Sequence, residues 1–428
     1  MNIDFEKASF KDFENMPGLD AYDRAGIFNA YLKYRSDFGQ LNYRLESVSG
    51  CGPEMRLNVP GLEKGRRYVS LVSNDYLGFT QHPKVKAAAI AGIEQYGAGA
   101  GASPAIGGHF SFHRELEERI AAFFKREEDD AILYTTGYTA NSATLQCLLK
   151  KEDIAILDSA VHASVQEGCQ LTNVKTFPHN DLEALERVLK VSRNTYRMKL
   201  VVIDGVYSQD GDLAPLDRIL ELCRAHGAYL MLDDAHGTGV IGKTGRGVIE
   251  LHNLFQEVDI LTGTFSKTFG HVGGYVVAKQ ELVSYLKFQS RQHLFSATCT
   301  PAAMGILKAI ELVDSEPFWM ERLWQNIRYL RLGLRTMGLN IGDTESAIIP
   351  VRIGDAGLNA QVCHELLKAG IYTNQINYPA VSRKDARIRM SLMATHKKEH
   401  LDEVLNAFNW VVQKHKTIIN TKEDISNG

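Results

Sequence analysis

The sequence predicts an α/β protein. A large domain built on a mostly parallel sheet spans residues 67–305, a smaller α+β domain spans 306–428, and an N-terminal segment, 1–66, precedes both. Three observations carry this reading. Short uninterrupted apolar runs, such as LVVI at 200–203, recur along the middle of the chain, as strands buried on both faces do. They alternate with segments of helical period, the pattern of βα units. Beyond Pro301 the alternation gives way to long helical stretches and short strands.

Taken in order, residues 1–66 show no clear period; Pro60-Gly61 marks a turn and 64–67 a basic surface stretch. Pro83 opens a helix over 84–95. AILY at 131–134 reads as a buried strand, followed by a helix over 139–149 and a strand at 154–157. A strand at 200–203, a helix over 216–225 and strands at 228–232, 259–262 and 275–278 complete the large domain. The smaller domain reads as helices over 302–313 and 318–337, a strand at 347–352, a helix over 360–369, a strand at 386–391 and a helix over 400–414. The polar tail, 414–428, reads as frayed.

Composition removes several function classes. A net charge of −3 gives no electrostatic footprint for nucleic acid. No apolar run approaches the ~18 residues of a membrane helix. Asp4, Glu6 and Lys7 stand where a secretory signal needs apolar residues. Cys51, Cys147, Cys169, Cys223, Cys299 and Cys363 form no C-x-x-C pair. That argues against a disulfide framework or zinc site and for a reducing cytoplasm. The glycine-dense stretch at 97–101 lacks the third glycine of G-x-G-x-x-G.

Three polar clusters stand at the ends of expected strands, where open α/β sheets place their active sites. Asp233-Asp234-Ala235-His236 follows the strand at 228–232. A carboxylate there can keep a pyridine nitrogen protonated and make the ring an electron sink, with the histidine donating to a ring oxygen; a metal-ligand or capping role remains open. Thr264-Phe265-Ser266-Lys267 follows the strand at 259–262. Its lysine amine suits imine formation, and its hydroxyls suit a phosphate; an isolated lysine is more often at the surface. Thr135-Thr136-Gly137-Tyr138 leads from a strand into a helix, where backbone N–H groups attract phosphate, although an ordinary capped turn reads the same way. His162 follows the strand at 154–157 and can stack on a flat ring or serve structure alone.

Together the stretches SNDYLG (73–78), HRELE (113–117), TTGYTAN (135–141), VHAS (161–164), DGVYSQDGD (204–212), DDAHGTGVIG (233–242), GTFSK (263–267), FSATCTPA (295–302) and RMSLMATH (389–396) resemble, in order, the α-oxoamine synthase family of fold-type-I pyridoxal 5′-phosphate (PLP) enzymes. The resemblance covers roughly residues 43–410. It implies that Lys267 holds the cofactor and moves protons at Cα. Asp233 pairs with the pyridine nitrogen, His236 with the phenolate oxygen, and His162 stacks on the ring. Gly137, Tyr138, Thr264 and Ser266 hold the phosphate, and Ser208 lies near the cofactor. Ser296 or Thr300 reaches a neighbouring subunit's phosphate in a homodimer. Arg389 binds the amino-acid carboxylate, with Asn74 close by.

The implied reaction is decarboxylative condensation of an α-amino acid with an acyl-CoA or acyl-carrier thioester. Within the family, SLMATHKKEHLDE (391–403) and TESAIIP (344–350) resemble the serine palmitoyltransferase group, acting on serine or cysteate with a long-chain donor in lipid (sphingolipid or sulfonolipid) metabolism. The apolar residues around His109-Phe110-Ser111-Phe112 suit such a chain. DDAHGTGVIG and SNDYLG also resemble the 8-amino-7-oxononanoate synthases, the second reading, whose carboxylated donor needs a cation such as Arg44 or Arg114. A 2-amino-3-oxobutyrate CoA ligase and, from another class, a fold-type-I aminotransferase remain open. Pro104 and His109 depart from the family pattern near the expected substrate.

Overall fold

The structure is a computed structural model that describes residues 3–416; the rest of the tail expected to fray lies outside the described residues. Two compact units are present. One comprises Asn74–Ser208 and Asp212–Leu323. Its sheet has seven strands: β1 (Ala131–Tyr134), β2 (Ile154–Asp158), β3 (Asn173–Phe177), β4 (Lys199–Asp204), β5 (Tyr229–Asp233), β6 (Ile260–Thr264) and β7 (Gly274–Ala278). Their order is β1-β7-β6-β5-β4-β2-β3. The pairs β2–β3, β2–β4, β4–β5 and β5–β6 are parallel. Only β7 is reversed, antiparallel to both β1 and β6. Strands β1 to β6 therefore end on one edge.

Burial on both faces explains why the inner strands read so clearly. Every residue of β1, β2, β4, β6 and β7 is buried. Helix Leu216–Ala225 shows how the covering helices work: Leu216, Ile219, Leu220 and Cys223 form its buried stripe. A fully buried Leu or Ile of this kind stabilises by about 1.5–3 kcal/mol. The edge strand β3 buries only Phe177 of NVKTF, so no apolar run announces it. Helix Leu182–Ser192, capped where Asp181 accepts from Ala184 N–H, has a clear helical period that a strand-led reading passes over. Helices Ser111–Phe123, Ala163–Gly168 and Gln280–Gln289 are likewise additional to those expected. The stretch 237–242 spells GTGVIG, the dinucleotide spacing, yet only a single turn of helix, Val248–Leu251, follows β5 before β6. The strand–glycine loop–helix context of a dinucleotide site is therefore absent there.

The other unit holds the residues up to Ser73, Gln209–Gly211 and those from Trp324 on. Its N-terminal part, without period in the sequence, forms helix Ala21–Asp37, capped by Asp20, and strands Glu46–Ser47, Glu54–Asn58 and Arg66–Ser70. Arg66–Ser70 pairs in parallel with Ile371–Tyr372. A second, antiparallel sheet has Ala386–Ser391 between Ile348–Gly354 and Asn374–Ile376. Helix Ala356–Lys368 packs on it. No helix among the described residues is long and apolar enough to cross a membrane.

Candidate active site

The shared strand edge gathers the chemistry. Register sets Asp204 beside Asp233, and Asp233 beside Thr262, on β4, β5 and β6. Just beyond the strand ends lies a cavity of about 220 Å³. Gly137 and Tyr138 enter it from beyond β1, and His162 from beyond β2. Asp233 and His236 come from β5 and its loop; Thr264, Ser266 and Lys267 come from the end of β6.

One part of the wall suits a phosphate. Helix Gly137–Leu148 starts there, with Thr136 accepting from Thr139 N–H, and its remaining first N–H groups attract anions. A Cβ at position 137 would lie 2.7 Å from Thr264 Cβ, so glycine is what lets the helix start approach β6. Thr264 Oγ1 lies 2.7 Å from Ser266 Oγ, accepts from Ser266 N–H at 3.1 Å and donates to Gly273 O at 3.0 Å. Tyr138 donates its hydroxyl to Glu167.

A second part presents a buried carboxylate. Asp233 accepts from Asn141 Nδ2 at 2.6 Å and from Ala235 N–H at 3.0 Å. Asn141 is itself fixed: Nδ2 also donates to Ser164 Oγ at 2.9 Å, and Oδ1 accepts from Thr262 Oγ1 at 2.7 Å. His162 Nδ1 lies 2.7 Å from the same Ser164 Oγ. Burial holds the His162 imidazole below its usual value, partly offset by the charge of Asp233, so the ring that lines the cavity is neutral. Burial also pushes the Asp204 and Asp234 carboxyls well up. His236 Nδ1 is taken by Tyr76 OH at 2.6 Å, and Tyr76 OH lies 3.4 Å from Asn74 Oδ1.

Asn74 thus connects to the cavity through Tyr76. Ser208 follows β4 without lining the cavity. Ser296 and Thr300 are exposed, outside its lining. Arg389 belongs to the other unit, buried in Ala386–Ser391 with Nη1 donating to Ser391 Oγ at 3.0 Å. Sequence reading gives no role to Asn141, Asp204 or Tyr76, whereas Thr136 is read in the capped turn it forms. A signal exists for two of them: Asp204 is a strand-end carboxylate like Asp233, and Asn141 lies one helical turn beyond Gly137. Removing the clamp on Asp233 is testable. Asn141→Ala is expected to cost about 1–3 kcal/mol of stability, because Thr262 and Asp233 lose a buried partner. It should also lower kcat about tenfold, read by thermal melting and steady-state assay; an unchanged kcat would separate Asn141 from the chemistry.

The donor set fits pyridoxal phosphate: a glycine-cleared, hydroxyl-rich helix start for its phosphate, a fixed carboxylate for its ring nitrogen, a neutral imidazole for its face and a lysine amine for its aldehyde carbon. Comparison with known proteins agrees. A family model described as aminotransferase class I and II matches residues 66–408. The 8-amino-7-oxononanoate synthase 1 of Bacillus subtilis (strain 168) is 41% identical over 366 residues, 85% of this chain and 91% of that protein. The 8-amino-7-oxononanoate synthase of Thermoanaerobacter pseudethanolicus is 38% identical over 385 residues, 88% and 97%. Among solved structures, a Sphingomonas wittichii serine palmitoyltransferase superposes with a TM-score of 0.87 at 31% identity, covering 94% of this chain and 100% of that one. An 8-amino-7-oxononanoate synthase from Francisella tularensis, at 23% identity and a TM-score of 0.70 over 82% of this chain and 99% of that one, shares the fold. Fold and cavity together define a fold-type-I enzyme that uses pyridoxal phosphate. The chain belongs to the aminotransferase class I and II family and, within it, to the α-oxoamine synthases.

Proposed function

We propose that this α-oxoamine synthase joins alanine to a carboxyl-bearing acyl thioester, as the name 8-amino-7-oxononanoate synthase implies for its relatives. That product carries its amine on C8 and its ketone on C7 of a nine-carbon acid. Its last two carbons are then alanine without its carboxylate, and the first seven are an acyl chain with a free carboxylate. The supporting observation is 41% and 38% identity to such synthases across 85% and 88% of this chain.

In the net reaction Cα bonds to the thioester carbonyl carbon, the thiol leaves, and the amino-acid carboxylate departs as CO₂ with a proton returned to Cα. Pyridoxal phosphate, when bound, supplies a conjugated ring that takes up the electron pair released at Cα. Lys267 Nζ removes and returns the Cα proton. Asp233 holds a proton at the pyridine nitrogen, kept in place by Asn141. His162 covers the ring. His236, its ring held at Nδ1 by Tyr76 OH, pairs with the phenolate oxygen. Gly137 and Tyr138 with Thr264 and Ser266 bind the phosphate. The exposure of Ser296 and Thr300 supports their reaching a neighbouring subunit in a homodimer. The free thiols of Cys147, Cys169, Cys223, Cys299 and Cys363 support a reducing compartment, the cytoplasm.

The serine palmitoyltransferase-like reading, preferred on the C-terminal stretches, gives way because those stretches are short beside an alignment of 366 residues. Phe112, one of the apolar residues that favoured a long chain, is buried and packs on Tyr96 and His113. The lipid reading keeps one specific support, the 0.87 superposition along the whole serine palmitoyltransferase chain. Arg114 is already paired with Glu118 and Asp129, so it is not a ready partner for a donor carboxylate. The test is thiol release with acetyl, pimeloyl and palmitoyl thioesters against alanine, glycine, serine and cysteate. The highest kcat/KM is expected for pimeloyl with alanine. A rise with chain length and serine or cysteate would install the lipid reading, at about 0.8 kcal/mol of binding for each buried CH₂.

A further inference from the structure

The unit that holds the N-terminal residues contains a cavity of its own, of about 520 Å³, within the 300–1,000 Å³ typical of small-molecule sites. Residues 6–43 and 355–383 contribute its lining. Its N-terminal wall therefore lies outside the 66–408 span that matches the family model. The walls are aromatic: Phe10, Tyr34, Phe38, Tyr43 and Tyr378 all face it.

One polar side chain sets it apart from an apolar crevice. Gln375, on strand Asn374–Ile376, lines the cavity while 3% exposed. Its Nε2 and Oε1 have no hydrogen-bond partner among the described residues. Tyr43 OH, 2.8 Å away on the backbone carbonyl of Gln375, fixes that position without satisfying the amide. A buried amide of this kind is costly unless a ligand meets it. It offers one acceptor beside one donor, the edge that pairs with an adenine amino group and ring nitrogen.

The charged groups lining the cavity are Glu6, Lys7, Arg35, Asp355 and Arg383. Asp355 is used at home, accepting from Leu358 N–H at 2.7 Å as a helix cap. Arg383 lies over the Tyr378 ring at 4.3 Å and 3.6 Å from Asp12. Lys7 is 3.7 Å from Asp4 in an exposed pair. Arg35 has no carboxylate within ion-pair distance among the described residues. Flat aromatic walls, an unsatisfied donor–acceptor edge and a guanidinium that lies over the Tyr31 ring at 5.9 Å without a carboxylate partner among the described residues point to one ligand chemistry, a planar base carrying phosphate.

We propose that this cavity binds an adenine nucleotide, with Gln375 reading the base edge, the aromatic residues stacking on the ring and Arg35 holding phosphate. Two sources share that chemistry: a free nucleotide, or the nucleotide end of a coenzyme A thioester. Binding is measured without turnover, so the proposal stands or fails apart from the choice of amino acid and acyl group.

The experiment is calorimetric titration of the full-length holoenzyme with ADP, coenzyme A, acyl-pantetheine (which lacks the nucleotide) and inorganic phosphate. Saturable ADP binding is expected, weakened about tenfold or more by Gln375→Leu and by Arg35→Ala, with bound pyridoxal phosphate unchanged. Arg35 is part-exposed, so its variant keeps the test alive if Gln375→Leu fails to fold. Competition by coenzyme A but not acyl-pantetheine would assign the site to the thioester; ADP binding without such competition would assign it to a free nucleotide. No saturable ADP or coenzyme A binding, binding that both variants leave intact, or phosphate binding as tight as ADP would overturn the proposal.

Discussion

Lys267→Ala is expected to lower kcat by at least about 10³-fold while leaving the melting temperature close to that of the parent. The size follows from the role proposed for Lys267: the variant would lose a positioned acid–base group, worth about 10²–10⁴-fold, together with the amine proposed to anchor the cofactor. The small effect on folding follows from where the residue sits. Lys267 comes after β6, whose buried residues make the sheet contacts, so truncation opens space in the cavity rather than in the core. Two measurements check it. Steady-state assay gives kcat, and borohydride treatment of the parent holoenzyme followed by peptide mass analysis should place the cofactor on the peptide containing Lys267. A reduced adduct on another lysine, or a variant within tenfold of parental kcat, would remove Lys267 from its role.

How much of this could be read in advance depends on burial. The central sheet was legible because buried parallel strands leave continuous apolar runs; AILY at 131–134 matches β1 residue for residue. Strand β3 was not, since an edge strand with polar residues on its open face carries no such run. Residues 1–66 were opaque for a related reason. Helix Ala21–Asp37 buries only Tyr31, so it shows little amphipathic period. What holds it is a small local cluster, with Tyr31 OH donating to Ala8 O at 2.9 Å and its ring stacked on Phe13, which leaves no long apolar stripe to read. At the candidate site, the strand-end residues that line the cavity were legible because position alone marks them. Asn141 and Tyr76 were not, because their importance lies in which side chain they hold, and that is a tertiary fact.

Asp233→Asn is expected to lower kcat by about 10²–10³-fold with pyridoxal phosphate still bound. An opposite charge beside a titrating group is worth about 1–3 pKa units, and each unit withdrawn from the pyridine nitrogen's proton weakens the ring's hold on electrons released at Cα. The substitution is nearly isosteric, but its hydrogen bonds are not neutral. In the parent, one carboxylate oxygen accepts from Asn141 Nδ2 and the other from Ala235 N–H. An amide offers a single acceptor oxygen, so one of these donors loses its partner, at about 1–3 kcal/mol of stability. Loss of charge must therefore be separated from loss of fit. Asn141→Ala removes one of the same contacts and keeps the Asp233 charge. If charge is what matters, Asp233→Asn should fall at least tenfold further in kcat than Asn141→Ala at similar cofactor content. Equal kcat losses in the two variants would reduce Asp233 to a structural residue, and near-parental turnover in Asp233→Asn would take the ring nitrogen away from it altogether.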